Sequence, residues 1–163
     1  MLPAKRYLVV IVKPARGFAT PINVWTIGYE GRLLDDLVRE LDARRITQLI
    51  DVREIARSHK PGFSKGALQR RLETAGVGYH HLPALGSPSS IRHKFRDGGS
   101  LDDFFDEYHA YLRSVPEAYG QLREMVSSKP SVLMCFERDH RTCHRLVLAQ
   151  KLTADGFLIE HIG

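Results

Sequence analysis

The stretch 131–162 constrains this chain more than any other. A short apolar run, 132–136, breaks abruptly into Glu137, Arg138, Asp139, His140 and Arg141. Helical spacing opens at Thr142 or Cys143 and ends near Gly156, and a second apolar run, 157–162, follows. Apolar runs of this length read as buried strands. Strand, loop, helix and strand in that order form the unit from which parallel sheets are built. In open parallel sheets, ligands lie outside the carboxyl ends of the strands, beside helix N-termini. Both cysteines, Cys135 and Cys143, fall at that predicted edge, together with three arginines, two acids and two histidines.

The same alternation runs back through the chain. A strand is predicted over 23–29, turning at Gly28-Tyr29-Glu30-Gly31, and Leu33, Leu34, Leu37, Val38 and Leu41 follow at helical spacing. The second strand, 48–53, ends in Asp51-Val52-Arg53. A loop over 54–64 carries Arg57, Ser58, His59 and Lys60, and Ser64 is the expected N-cap of a helix holding Leu68 and Leu72. The third strand is placed at 79–82. Residues 87–100, rich in Ser, Gly and Pro and containing Arg92, His93, Lys94 and Arg96, read as a second long loop. Helices over 101–112 and 117–127 precede the stretch described first.

The pattern implies a single α/β domain over 23–163, with a mostly parallel five-stranded sheet flanked by helices in Rossmann-like or rhodanese-like layering. Strand order does not follow from it. Residues 1–22 differ in character: 7–12 could form an edge strand, but Pro14, Gly17 and Pro21 punctuate the rest, so this segment is set apart as an N-terminal extension.

Composition narrows the function class. A length of 163 residues, 43% hydrophobic and 26% charged, suits one globular domain. No apolar run approaches the roughly 20 residues that span a bilayer, and 8–12 is too short for a signal-peptide core. A cytoplasmic location is expected, with the two cysteines as free thiols and not a disulfide framework. The net charge of +5 permits an anionic partner.

A parallel sheet would gather three basic clusters at one edge, from 53–60, 92–96 and 138–145. Arginine forks and free helix N–H groups there suit a phosphate. The alternative is that Arg53 pairs with Asp51 or Glu137 while the other arginines solvate loops. Asp51 and Glu137, each following a strand, are candidate acid–base groups for hydrolysis of a glycosidic or N-glycosidic bond.

Cys135 and Arg141 match the C-x5-R skeleton of cysteine-dependent phosphatases and some rhodanese loops. The loop has no glycine, however, and Glu137 and Asp139 set negative charge beside the sulfur, which raises a thiol's pKa. Cys143 is better placed for a thiolate, at a helix N-terminus, with His144 as a proton carrier, a metal ligand or a cap. Asp51, Cys135, Cys143, His80, His81 and His161 include metal-ligand types but stand in no recognised metal spacing. No metal or other cofactor is expected.

Several motifs together carry a family resemblance: T-I-G-Y at 26–29, L-I-D-V-R at 49–53, R-S-H-K-P-G-F at 57–63, G-V-G-Y-H-H-L-P-A-L-G at 76–86, and L-M-C-F-E-R-D-H-R-T-C-H-R at 133–145. In that order they resemble the domain of unknown function 488 family of bacteria and archaea, over about 25–161. Ile55 or Ala56 stands where the family usually has proline, and Arg141 is not fixed as arginine in the family pattern. The match of motifs implies Asp51, Arg53, Ser58, Tyr79, Gly86, Cys135, Glu137, Cys143, His144 and Arg145 as site residues. The family carries no established activity, so the resemblance points to a site and not to a reaction.

The resulting expectation is a phosphate-binding, hydrolytic cleft for a nucleotide or nucleic acid. Asp51, Glu137, Cys143 and His144 would be its catalytic set; Arg53, Ser58, Tyr79, Gly86, Arg138 and Arg145 its binding set. A non-catalytic nucleic-acid-binding module, and rhodanese-like or phosphatase chemistry through Cys135, are the alternatives.

Overall fold

The computed structural model of the chain describes residues 21–163. The expected N-terminal extension, with its candidate edge strand at 7–12, lies almost wholly outside the described residues.

Five strands form one sheet: β1 (Asn23–Gly28), β2 (Gln48–Asp51), β3 (Gly78–His81), β4 (Ser131–Cys135) and β5 (Leu158–Ile162). Their order is β3-β2-β4-β1-β5, and every pairing is parallel. The sheet is thus wholly parallel, a sharper result than the expected mostly parallel one. Strands β2 and β4 are buried throughout, as is β1 after Asn23, which is why they read as continuous apolar runs. The edge strands β3 and β5 alternate exposed and half-buried residues along most of their length.

Side-chain alternation along the strands divides the core in two. Trp25, Ile27, Leu49, Val132 and Met134 pack with Leu37 and Leu41 of α1 (Leu34–Ala43) and Leu68 and Leu72 of α2 (Lys65–Thr74). On the other face, Val24, Ile50, Leu133 and Cys135 meet α4 (Leu101–Arg113), α5 (Pro116–Ser128) and α6 (Arg145–Ala154), through Tyr108, Leu122, Val147 and Leu148 among others. Steps from β1 to β2 to β3 run one way along the sheet, and those from β3 to β4 to β5 run the other. Helices on opposite faces are what a single hand of crossover requires. Chain leaving β2 therefore goes to one face and chain leaving its neighbour β4 to the other. The crevice between their carboxyl ends is a topological switch point.

One element departs from expectation. Residues 87–100 are not a loop: α3 (Ser89–Arg96) occupies most of them. Its single buried side chain is Ile91, and Phe95 meets Phe104 of α4 with ring centroids 5.4 Å apart. So short an apolar face gives no periodic signal in a Ser- and Gly-rich stretch. The last helix also starts later than expected, at Arg145, after a single 3-10 turn at His140–Thr142.

Two glycines fix the edge. A Cβ on Gly28 would lie 1.9 Å from the carbonyl oxygen of Glu137, and one on Gly86 would lie 2.0 Å from the amide nitrogen of Glu54. Backbone meets backbone at both places, so neither can give way. Gly86 enters the site as a packing surface for the chain leaving β2.

Candidate functional site

A cleft of about 790 Å³ opens at the switch point. Its walls come from the segment after β2 (Arg53, Arg57, Ser58, His59, Lys60), from Ser87 and α3 (Arg92, Phe95, Arg96), and from the end of β4 (Cys135, Phe136, Glu137) with His144. Two polar networks stand beside it, one on each face of the sheet.

The first belongs to the α1–α2 face. Asp51 and Arg53 are both buried and joined by a two-point ion pair, Nε–Oδ1 at 2.8 Å and Nη2–Oδ2 at 2.5 Å. Tyr79 donates its hydroxyl to Oδ2 at 2.6 Å, and the amide of Arg53 donates to Oδ1 at 3.2 Å. Arg53 Nη1 donates to the Tyr29 hydroxyl at 3.1 Å and to the carbonyl of Phe63 at 2.9 Å. Tyr29 in turn stacks on Phe63, centroids 4.5 Å apart. Burial alone would lower the Arg53 pKa, but bonding to Asp51 and its charge raise it above the ordinary value. Burial, then Asp51, likewise raise the Tyr79 pKa. Both carboxylate oxygens accept twice, and the guanidinium is committed on three sides. Arg53 lines the cleft, but its pairing is internal.

The second network belongs to the α4–α6 face. Cys135 donates its thiol to Glu137 Oε2 at 3.2 Å. His144 is buried, its Nε2 is 2.8 Å from the carbonyl of Val52, and Tyr108 meets its ring edge-on at 5.1 Å. The hydrogen on Nε2 therefore donates to that carbonyl, leaving Nδ1 turned toward both sulfurs, 3.9 Å from Cys135 and 3.8 Å from Cys143. Arg145 Nε donates to Cys143 Sγ at 3.3 Å, and its Nη2 to the carbonyl of Glu137.

Charge follows from these contacts. Bonding to Cys143, then burial and Glu137, push the Cys135 thiol well up. Burial pushes the Cys143 thiol up too, but Cys135, His144 and Arg145 outweigh it and bring it well below its ordinary value. Burial pulls His144 down, and the neighbouring Cys143 more than restores it, for a net rise. Glu137 is raised, first by burial and then by Cys143. The sequence anticipated a low-pKa Cys143 from a helix N-terminus; the neighbours that produce it are Cys135, His144 and Arg145.

Of the residues singled out in the sequence, Arg53, Ser58, Cys135, Glu137 and His144 line the cleft. Cys143 lies just behind it, 1% exposed. Arg145 is equally buried and positions Glu137 and Cys143 from within. Asp51 and Tyr79 belong to the closed network, and Arg138 is exposed, its amide bonded to Glu30. Ser58 shapes its loop by a reciprocal pair of bonds with the Ser64 hydroxyl, at 3.1 and 2.9 Å. Ser64 sits at the N-cap of α2 as expected, but its hydroxyl serves Ser58 and not the helix. Arg141 turns to Asp139, with Nη2–Oδ2 at 2.9 Å, and makes no cradle over Cys135.

Sequence reasoning missed the cleft's apolar walls. Phe136 and Phe95 are exposed at 45% and 36% on two different walls. Phe136 could have been found as an aromatic directly after a predicted strand. Ser87 is 2% exposed on the same wall as Arg92, and its hydroxyl has no partner among the described residues. Nothing in its sequence context signals that.

No helix among the described residues is long and apolar enough to cross a membrane. A comparison with curated proteins and one with solved structures find no match. The family profile described as "Domain of unknown function DUF488" matches residues 33–152, a span that takes in α1 through most of α6 and both polar networks except Tyr29. The chain belongs to the DUF488 family.

Proposed function

We propose that the cleft binds a nucleotide unit, free or at the end of a strand, and that Glu137 exchanges the proton in its hydrolysis. The observation that carries this reading is the pairing state of the rim. Arg57 and Arg96 stand exposed at the mouth with no ion-pair partner among the described residues, whereas Arg53 and Arg92 are held by Asp51 and Glu54. Unpaired guanidinium forks on two walls suit the oxygens of a phosphate. Phe136 and Phe95 offer ring faces for a base, and a volume of about 790 Å³ matches a small-ligand site. The orphan Ser87 hydroxyl is a polar group that a ligand would satisfy.

Glu137 is held for its role from three directions: Gly28 packs on its backbone, Arg145 binds its carbonyl, and Cys135 donates to its carboxyl. Among the described residues it is the only carboxylate besides Glu54 on the cleft wall, and Glu54 is engaged by Arg92.

The test is thermal unfolding with a nucleoside monophosphate, a nucleoside diphosphate, inorganic pyrophosphate and short single-stranded DNA and RNA, at two salt concentrations. A ligand at about 100 times its Kd should stabilise by about 2.7 kcal/mol. The effect should vanish in the Arg57→Ala/Arg96→Ala pair. Stabilisation by free nucleotides identifies a small ligand; response to strands alone, weakening steeply with salt, identifies a nucleic-acid end. Glu137→Gln should keep the affinity and lose turnover. Binding without turnover in the unaltered protein would make the cleft a recognition module. Silence across the panel would end the proposal.

A further inference from the structure

Cys135, Cys143 and His144 present Sγ, Sγ and Nδ1 within 4.8 Å of one another, all three residues buried. We infer that this trio is a zinc-class metal site of the Cys2His type, with its fourth position open to the cleft beside Glu137.

Four observations carry this. The distances fit first. Zinc bonds of about 2.3 Å to sulfur and 2.05 Å to nitrogen give tetrahedral S···N edges of about 3.6 Å. The two S···N edges here are 3.9 and 3.8 Å, and the S···S edge lies within 4.8 Å, against about 3.8 Å in a tetrahedral zinc centre, so side-chain movement of about an ångström or less closes the site. Second, His144 donates Nε2–H to the carbonyl of Val52 at 2.8 Å. A ligating histidine is oriented in this way, through its other nitrogen, by a carbonyl or carboxylate. Third, the charges balance: a divalent ion with two thiolates and a neutral imidazole is neutral overall, and the nearby Arg145 and Glu137 are of opposite sign. Fourth, the open side faces the cleft, because Cys135, His144 and Glu137 line it and Cys143 does not.

Soft thiolates with one imidazole select zinc or its spectroscopic substitute cobalt(II) over magnesium or calcium. Three protein ligands with an open fourth position are the arrangement of catalytic zinc, not of closed structural sites. The ligands escape local spacing rules because Cys135 ends β4 while Cys143 and His144 precede α6. Binding breaks the S–H bond of each protonated ligand thiol; the sulfur keeps the electron pair and the proton passes to buffer, with no change of oxidation state. The inference does not depend on the nucleotide reading.

The experiment titrates cobalt(II), then zinc, into the reduced full-length chain under a phosphine reductant. One equivalent of cobalt should produce a sulfur-to-cobalt charge-transfer band and the visible bands of a tetrahedral centre. One equivalent of zinc should bleach both. Zinc should also shield the two thiols from a thiol-reactive disulfide, a measurement that needs no variant and so survives any that fails to fold. Cys143→Ser and His144→Gln should each weaken binding about a hundredfold or more. Arg57→Ala/Arg96→Ala should retain the full cobalt spectrum, which separates failure of the metal site from failure of the nucleotide reading. Absence of the charge-transfer band at stoichiometric cobalt would overturn the inference. So would its survival in the Cys135→Ser/Cys143→Ser double variant, or equal thiol reactivity with and without zinc.

Discussion

The two polar networks at the carboxyl edge contain similar chemistry and differ in how much of it is spoken for. Around Asp51, each carboxylate oxygen and each arm of Arg53 already meets a protein partner at hydrogen-bond distance. Around His144, the contacts to the sulfurs of Cys143 and Cys135 are 3.8 and 3.9 Å, and the Glu137 carboxylate on the cleft wall is met by thiols and by no cationic side chain among the described residues. The Asp51–Arg53 pair is thus spoken for within the scaffold, and the working role proposed for Glu137 rests on its unspent bonding capacity. The α1–α2 face holds the segment after β2 in place. In the proposed reading, the α4–α6 face supplies the groups that act.

The largest effect should come from breaking the closed network. Asp51→Asn leaves the Arg53 charge buried without its counter-ion, and should cost about 3–5 kcal/mol in denaturant unfolding. Near-normal stability in that variant would erase the distinction between the two faces. Next, Phe136→Ala on the open face should leave stability within about 0.5 kcal/mol while weakening nucleotide or strand binding by about 1–3 kcal/mol. A variant that unfolds early but binds normally would make Phe136 part of the core. Arg57→Ala should reduce the salt slope of single-strand binding by about 0.7, one phosphate contact, with no change of melting temperature.

The smallest effect sharpens the comparison at its margin. His161 lies behind the open network, its Nδ1 2.7 Å from Thr26 Oγ1 and its ring stacked on His140 at 3.6 Å. Burial, then His140 and Arg145, bring its pKa from 6.5 to about 4. The folded protein thus keeps His161 neutral while the unfolded chain protonates it. Stability from this group is complete above about pH 6.5 and is lost as pH falls toward 4. Half exposure reduces the loss to about 1 kcal/mol. His140 is lowered as well, by burial first, and adds loss of the same sign. His161→Gln should flatten the acid limb of the stability–pH curve by that 1 kcal/mol; an unchanged limb would mean His161 is protonated in the folded state.

Much of the scaffold was legible because burial on both faces writes strands as apolar runs: β1, β2 and β4 could each be placed within about two residues. Strand order was not, since a period-two pattern says which face a residue takes and nothing about its neighbour. Helix α3 was hidden because only Ile91 of its eight residues is buried. At the site, the motif D-V-R and the run from Cys135 to Arg145 were visible as chemistry. Their roles were not, because these depend on partners far along the chain. Tyr29, Phe63 and Tyr79 complete the Asp51 network, and Val52 orients His144 from 92 residues away. The C-x5-R match showed the converse: Arg141 has the spacing of a thiol-phosphatase arginine and turns to Asp139 instead.

The most direct test of the division between the two faces is one paired measurement on Asp51→Asn and Glu137→Gln. Unfolding free energy and the Kd for a fluorescent 5′-phosphorylated dinucleotide are determined in the same buffer, with hydrolysis followed alongside. Asp51→Asn should lose about 3–5 kcal/mol of stability, with the Kd of its folded fraction unchanged. Glu137→Gln should keep its stability within about 1 kcal/mol and its Kd, and lose hydrolysis by about 100-fold or more. The contradicting result is the reverse: an Asp51→Asn protein that folds as firmly as the parent yet no longer hydrolyses the dinucleotide, beside a Glu137→Gln protein that unfolds early and turns it over at the parent rate.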